Sequence, residues 1–415
     1  MAVGDIKINS IKIGDMDLSQ SKEASYMGFN IYEDIMNPYG PMAEIRVVDP
    51  SGMLDKQKIN GAYDKEIMID LGGGGSDQGG GSRKFKLKML QNKDLNDGSF
   101  SHDGQGRVKQ YDMRFASEEM LNAQGNYMQK SYYTTTDKVV EDVVKNGFKS
   151  KKQIDMMSKT DGKRRIILHN DHPLDAVHKL GHEHVSAEDK SSTYVLFQQT
   201  GEEQKYVFAT FEKLFKGESV VKLKQTNTLD SKGASKEEQQ NSIIWFKPSD
   251  SFFTPSRPLN NASEQTFNLT THRPATVDPK QEKFKFIDSP VYKEGKVQYA
   301  NTVPVRTTYD KVNNKEKHKT GTAKANRTQF LSYLAQNAAE LEVYYNPKIK
   351  LGSIIDIDVP QHSDKDTGKG EGQFNGKALV VAIRTKIKPA GQVPRATMIL
   401  RVVKASYKQG GDGQA

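Results

Sequence analysis

Residues 26–71 constrain the fold most, because they read as short strands separated by turn chemistry. Tyr26 to Ile35 alternates: Tyr26, Gly28, Asn30 and Tyr32 fall on one face, Met27, Phe29, Ile31 and Glu33 on the other. A period of two belongs to a half-buried strand rather than to a helix. Asn37-Pro38-Tyr39-Gly40-Pro41 then breaks the chain, since each proline fixes φ and removes a donor while Gly40 permits a turn. Ala43 to Asp49 is a second strand, ended by the turn residues Asp49-Pro50-Ser51-Gly52. Glu66 to Leu71 is a third, entered past Asn60-Gly61. Strands this short and this evenly punctuated predict an antiparallel, barrel-like unit.

The same logic extends along the chain. Ile6, Ile8, Ile11 and Ile13 alternate with a slip of one at Asn9-Ser10, which predicts a turn or bulge there. Residues 72–82 carry seven glycines in eleven positions and predict a mobile hairpin tip. They are no phosphate loop, because no Gly-Lys-Ser/Thr closes them and no helix follows. Phe85, Leu87 and Met89 share one face of a strand at 84–91, and Val108 to Phe115 is another strand. Residues 1–118 are therefore expected to form one all-β domain. The period then changes. Val139, Val140, Val143 and Val144 recur at helical spacing after the caps Thr134-Thr135-Thr136, with Gly147 as the stop. A second helix opens at Pro173, with Leu174, Val177 and Leu180 on one face. Strands at Lys163–Leu168, Thr193–Gln199 and Tyr206–Thr210 complete an α/β domain over 119–224. Residues 225–325 are polar and poorly periodic, with strands expected at Ser242–Phe246 and Lys283–Ile287. Near Ala325 a third helix is expected, with Phe330, Leu331, Leu334, Ala338 and Leu341 on one face. Strands at Ile355–Val359, Gly376 through Ile383 and Thr397–Val403 then build a second β-barrel domain over 326–407. A disordered tail, 408–415, is expected after it.

The order of these signals resembles the baseplate hub (tail hub) proteins of contractile-tailed bacteriophages. In that family a strand ends in an aromatic-Glu pair, a second ends in Asp, and a Gly precedes a third; here Tyr32-Glu33, Asp49 and Gly61 hold those places. Pro173, Asp175, Ala176 and Leu180 match the family's helix, and Tyr194, Phe197, Gly201, Tyr206, Phe208 and Leu214 match its aromatic hairpin. Leu351, Pro360, Gly376-Lys377 and Lys404-Ala405-Ser406 match its second barrel. Arg384 stands near a place where the family often has a histidine, so no role of an imidazole carries over. The resemblance implies a mainly β (α+β) fold: two similar β-barrel tube-type domains, an α/β insertion, and a β-rich, loop-rich middle region. It also implies a structural virion protein of the tail baseplate, assembled in the host cytoplasm, and not an enzyme. The implied assembly is a homotrimer with pseudo-sixfold barrels. Such a ring adapts the sixfold tail tube to the threefold spike and forms part of the DNA channel. The implied partners are the tail spike protein, the tail tube protein or tube initiator, the tape measure protein and baseplate wedge proteins. DNA passes without specific binding. The hub part of type VI secretion spike proteins is a related family. Because this chain ends in a polar tail rather than a fused spike, a hub with a separate spike is expected.

Composition narrows the chemistry. With no cysteine there is no disulfide, thiolate metal site or cysteine nucleophile. No apolar run approaches the ~18–20 residues of a membrane span, and the first residues show no secretory signal pattern. No Gly-x-Ser-x-Gly elbow occurs. Asp356 and Asp358 alternate with isoleucines, as expected of a strand's solvent face. Five of the nine histidines lie between 169 and 184. His178 and His182, four apart, are the best metal candidates, since on a helix they share a face. Surface or interface histidines remain the default there, and no cofactor is expected. The net charge of +9 allows a second function class, a basic nucleic-acid-binding protein, which predicts salt-sensitive DNA binding. If the chain is a hub, cations dense in the bore would hold phosphates, so most of the positive excess is expected outside it.

Overall fold

The structure is a computed structural model. It describes residues 4–14, 16–19, 25–50, 52, 54, 65–73, 81–94, 109–182, 184–189, 191–225, 236–248, 261–268, 273–277, 302–309, 327, 330, 331, 334, 335, 337–359, 374–389 and 394–404. The fold is mainly β. The first β unit contains β1 (Lys7–Ile13), β2 (Met16–Asp17), β3 (Ser25–Asp34), β4 (Met42–Asp49), β5 (Glu66–Gly72), β6 (Ser82–Asp94) and β7 (Lys109–Ala116). The α/β segment follows with α1 (Glu118–Ala123), β8 (Met128–Thr134), α2 (Thr136–Asp142), β9 (Ile154–Met156), β10 (Arg164–Asp171), α3 (Pro173–His182), β11 (Tyr194–Gln199), β12 (Lys205–Thr210) and α4 (Phe211–Phe215). Beyond it lie β13 (Ser219–Lys224), α5 (Lys236–Gln240), β14 (Ile243–Pro248), β15 (Asn261–Asn268), β16 (Arg273–Val277) and β17 (Thr302–Tyr309). The last strands are β18 (Ala338–Tyr344), β19 (Ile354–Asp358), β20 (Gly376–Lys388) and β21 (Arg395–Val403).

A 13-stranded sheet organises the molecule, in the order β14-β18-β21-β20-β3-β4-β7-β6-β5-β1-β2, with β19 and β13 attached beside β20. The strands at 26–71 are not three successive neighbours, because β4 pairs with β7 while β5 pairs with β6 and β1. β5 and β6 form the hairpin expected around the glycine stretch, Gly72 opposite Ser82; residues 74–80 lie outside the described residues. The slip at Asn9-Ser10 is a register shift between Ile8 and Ser10. A second shift, between Tyr26 and Gly28, accounts for a departure from strict alternation: Met27 is 52% exposed although Phe29, Ile31 and Glu33 of the same parity are buried.

β20 joins the two β units. Its 13 residues pair with β21 on one side, and with β19 and then β3 on the other. One apolar core accordingly runs from Ile11, Phe29 and Ile69 to Leu341, Leu379 and Leu400. A second core lies in the α/β segment around Val139, Val140, Val143, Phe148, Leu168 and Leu180. The β11–β12 hairpin separates the two. Val195, Phe197, Val207 and Ala209 face the sheet core, while Tyr194, Leu196, Tyr206 and Phe208 face the other. A strand buried on both faces needs a continuous apolar run, which 194–197 supplies.

Two helix expectations are corrected. The described residues among 327–335 are helical, but Ala338 and Leu341 belong to β18. There Leu341 and Val343 are buried while Glu340 and Glu342 point outward, a period of two that holds a strand between β14 and β21. The valine helix ends otherwise than expected. Its last turn widens, with Phe148 N donating to Val143 O at 3.0 Å, and Lys149 rather than Gly147 takes positive φ. Gly147 serves close packing: a Cβ there would meet Met128 Sδ at 2.9 Å and Pro173 at 3.0 Å. The strand expected at Lys283–Ile287 and the tail 408–415 lie outside the described residues. The middle region holds three strands that the sequence reading did not anticipate, β16-β15-β17.

Candidate functional site

The main sheet buries one face in the core and leaves a charged face open. At its centre β4 and β7 set Glu44 opposite Arg114 and Arg46 opposite Asp112. Each cation therefore meets an anion across the strand gap and another two residues along its own strand. Arg46 holds Asp112 through two bonds, Nε to Oδ1 at 2.8 Å and a terminal nitrogen to Oδ2 at 3.1 Å. Arg114 Nε lies 3.1 Å from Glu44 Oε1. All four side chains are solvent-exposed, so each pair contributes only ~0.2–1 kcal/mol. The pattern extends sideways onto β3, β6 and β20. Asn30 of β3 faces Glu44, Gln91 and Lys93 of β6 face Arg114 and Asp112, and Lys386 of β20 faces Asn30. Tyr32 donates its hydroxyl to Glu44 at 3.1 Å and lies under the Arg384 guanidinium, 5.2 Å from its ring centre. Arg46, Glu44, Asp112, Arg114 and Lys93 line a depression of about 640 Å³ on this face. The patch offers electrostatic contact to an extended charged partner.

Beneath that face, buried polar groups fasten the α/β segment to the sheet. Arg83 is fully buried; it donates to Glu33 Oε2 at 2.5 Å and to Thr200 Oγ1, and Thr200 donates to Glu33 Oε1 at 2.5 Å. Thr200 ends the β11 arm, so this triad ties the hairpin to β3 and β6. Nearby, Glu119 accepts from Lys152 Nζ at 2.8 Å and Ser150 Oγ at 2.7 Å. Burial alone would raise its pKa, but Lys152 and these hydrogen bonds outweigh that and hold the carboxyl below the usual range. Gln198 Nε2 reaches both Glu119 and the Tyr39 carbonyl, at 3.2 and 2.8 Å. These groups hold elements together, although Arg83 keeps two buried guanidinium nitrogens without a hydrogen-bond partner among the described residues.

The histidines are dispersed in role. His169 is exposed on β10. His172 accepts from Leu174 N at 3.4 Å and packs edge-on against Tyr127, as a cap of α3. His184 is buried and bonds the Leu180 carbonyl. His178 lies on α3 in a small cleft with Arg327; burial, then the Arg327 charge, lowers its pKa. A guanidinium beside an imidazole opposes a bound cation. His182 is one helical turn further on, and its side chain lies outside the described ones. Among the described residues no three His, Asp or Glu side chains converge as a metal set. Asp356 and Asp358 stand half-exposed on β19 beside parallel β13, where Lys222 is 3.9 Å from Asp358. Among the described residues no helix is long and apolar enough to cross a membrane. The sequence reading missed Arg83 and the charged face alike. For the first a signal existed: Arg83 shares the parity of Phe85, Leu87 and Met89, and Glu33 that of Phe29 and Ile31.

No family model matches the chain, and no curated protein matches it. Solved structures do. The tail protein from Neisseria meningitidis MC58 aligns at a TM-score of 0.54 and 8% identity, covering 97% of this chain and 99% of that one. The 43 kDa tail protein of prophage MuSo2 from Shewanella oneidensis aligns at 0.52 and 11%, covering 97% and 98%. An Escherichia coli component of the type VI secretion system, itself similar to the T4 bacteriophage tail proteins gp27 and gp5, aligns at 0.51 and 12%, covering 95% and 77%. The chain thus has the fold of these tail proteins and of this secretion-system component along nearly its whole described course.

Proposed function

We propose that this chain is the central hub of a phage tail baseplate. The observation that carries the reading is the end-to-end likeness to two tail proteins, which leaves almost no part of either chain unmatched. The sheet supports it: two β units share one surface through β20 and β3, as a ring segment requires. On this reading the chain forms a homotrimer in which each copy supplies two barrel-type units, residues 1–118 and 326–407. The ring adapts a sixfold tube to a threefold spike. Residues 119–325 decorate it, and the open charged face of the main sheet borders the DNA path. Spike, tube or tube initiator, tape measure and wedge proteins are the partners, and the protein resides in the virion tail. It is a mechanical component rather than an enzyme.

A second reading is the hub of a contractile secretion or injection system, favoured by the type VI likeness. Light scattering with negative-stain imaging of the purified chain tests the ring that both readings require. A mass near three times 46.5 kDa with a central hole is the expected result. A monomer that stays monomeric when the spike and tube proteins are added overturns it.

A further inference from the structure

Around the two anions Glu44 and Asp112 the open face carries five cations, Arg46, Arg114, Lys93, Arg384 and Lys386. Arg46 and Arg114 sit at its centre, where a polyanion lying on the sheet would first meet them, while Arg384 lies to one side over Tyr32. Arginine is the strongest phosphate-binding side chain, because its planar fork meets two oxygens at once. Here both forks are already turned to carboxylates. Asp112 takes the Nε and one terminal nitrogen of Arg46, and Glu44 takes the Nε of Arg114. Neither carboxylate is needed to fill the core, since Glu44 and Asp112 are 42% and 38% exposed. Surface pairs of this kind add little stability, so fold alone does not call for them.

We propose that Glu44 and Asp112 mask the central arginines of this face, keeping its affinity for the phosphate backbone of nucleic acid low. This rests on the reading that the face borders the DNA path. A masked face lets a duplex slide, whereas two bare arginines would add two phosphate contacts and hold it. The expectation that the positive excess lies away from the bore is thereby refined: cations do stand on this face, and cross-strand anions occupy its two central arginines.

The test is binding of the full-length chain to a 30-base-pair duplex of mixed sequence across a sodium chloride series. The double variant Glu44→Gln with Asp112→Asn is expected to bind at least tenfold more tightly at 50 mM salt than the parent. Its plot of log K against log salt should be steeper by about two, one unit for each unmasked arginine. Glu202→Gln with Glu203→Gln makes the same change of net charge on the exposed β11–β12 turn and should leave affinity unchanged. Exchanging the partners, Arg46→Asp with Asp112→Arg, keeps the pair and should also leave it unchanged. The masking role is overturned if the first variant, still folded by circular dichroism, binds as the parent does. It is equally overturned if the Glu202/Glu203 control gains as much. The oligomeric mass of the same samples separates the two claims. A trimer without a gain in affinity sinks the masking role and spares the hub, while a gain in a chain that stays monomeric even with the spike and tube proteins added sinks the hub.

Discussion

At the scale of residues, the chain spends its buried charge where elements must be held together. Arg83 and Glu33 both occupy positions whose parity points into an apolar core, and Thr200 bonds to each of them. A buried pair of this kind adds little net stability when intact, but removing one partner strands a charge in a dry interior. Arg83→Met is therefore expected to cost about 3–5 kcal/mol in urea unfolding. Adding Glu33→Gln to it should recover a large part of that loss, because the stranded carboxylate is then gone. If the double variant is no more stable than the single one, the triad holds the hairpin by geometry rather than by charge. Arg327 makes a comparable fastening: it is buried, donates to the Tyr194 carbonyl at 2.5 Å, and burial lowers its pKa to about 10.

At the scale of elements, turns are set by close approach as much as by local preference. Gly352, which precedes β19, has φ +76, and a Cβ there would lie 2.6 Å from the Phe197 ring. That ring belongs to the sheet core, so it has little room to move. Gly352→Ala is expected to cost about 1–3 kcal/mol, since it adds a clash to a left-handed backbone. Gly125 is the natural comparison, having φ +73 and nothing within 4 Å of the added atom. Gly125→Ala should cost only the backbone strain, about 1 kcal/mol. Thermal melts of the two variants side by side check this; equal losses would remove the role of Phe197. The valine helix teaches the same point, because Thr160 of another segment, not a local threonine, accepts from the N–H groups of Thr136 and Asp137.

At the scale of the whole molecule, the two β units are continuous through β20 and β3 and share one core. They are expected to unfold in one transition rather than as separate domains. The single tryptophan, Trp245 on β14, lies at one end of the sheet, and β5 and β6 lie toward the other. Trp245 fluorescence and amide exchange in β5–β6 should report the same denaturant midpoint. Separate midpoints would show that the units are independent and merely touch. One shared transition also suits the proposed hub, which must carry force from tube to spike without coming apart in the middle.

What the sequence by itself determined is local. Alternation placed β3, β4, β5, β6 and β7, the slip at Asn9-Ser10 marked a real register shift, and Pro173 opened α3. These follow from periodicity and from glycine and proline geometry, which act within a few residues. Order along the chain also carried the expected likeness to tail hub proteins, and the structure shares the fold of two solved tail proteins. Tertiary structure decided the rest. It moved β5 away from β4, turned 338–344 from helix into strand, and brought Thr200 to Arg83 across 117 residues. It alone assembled the charged face, because Glu44 and Arg114 are neighbours only once β4 has chosen β7. Strand pairing is set by which apolar faces can close one core together, and that choice is made by the whole chain rather than by any window of it.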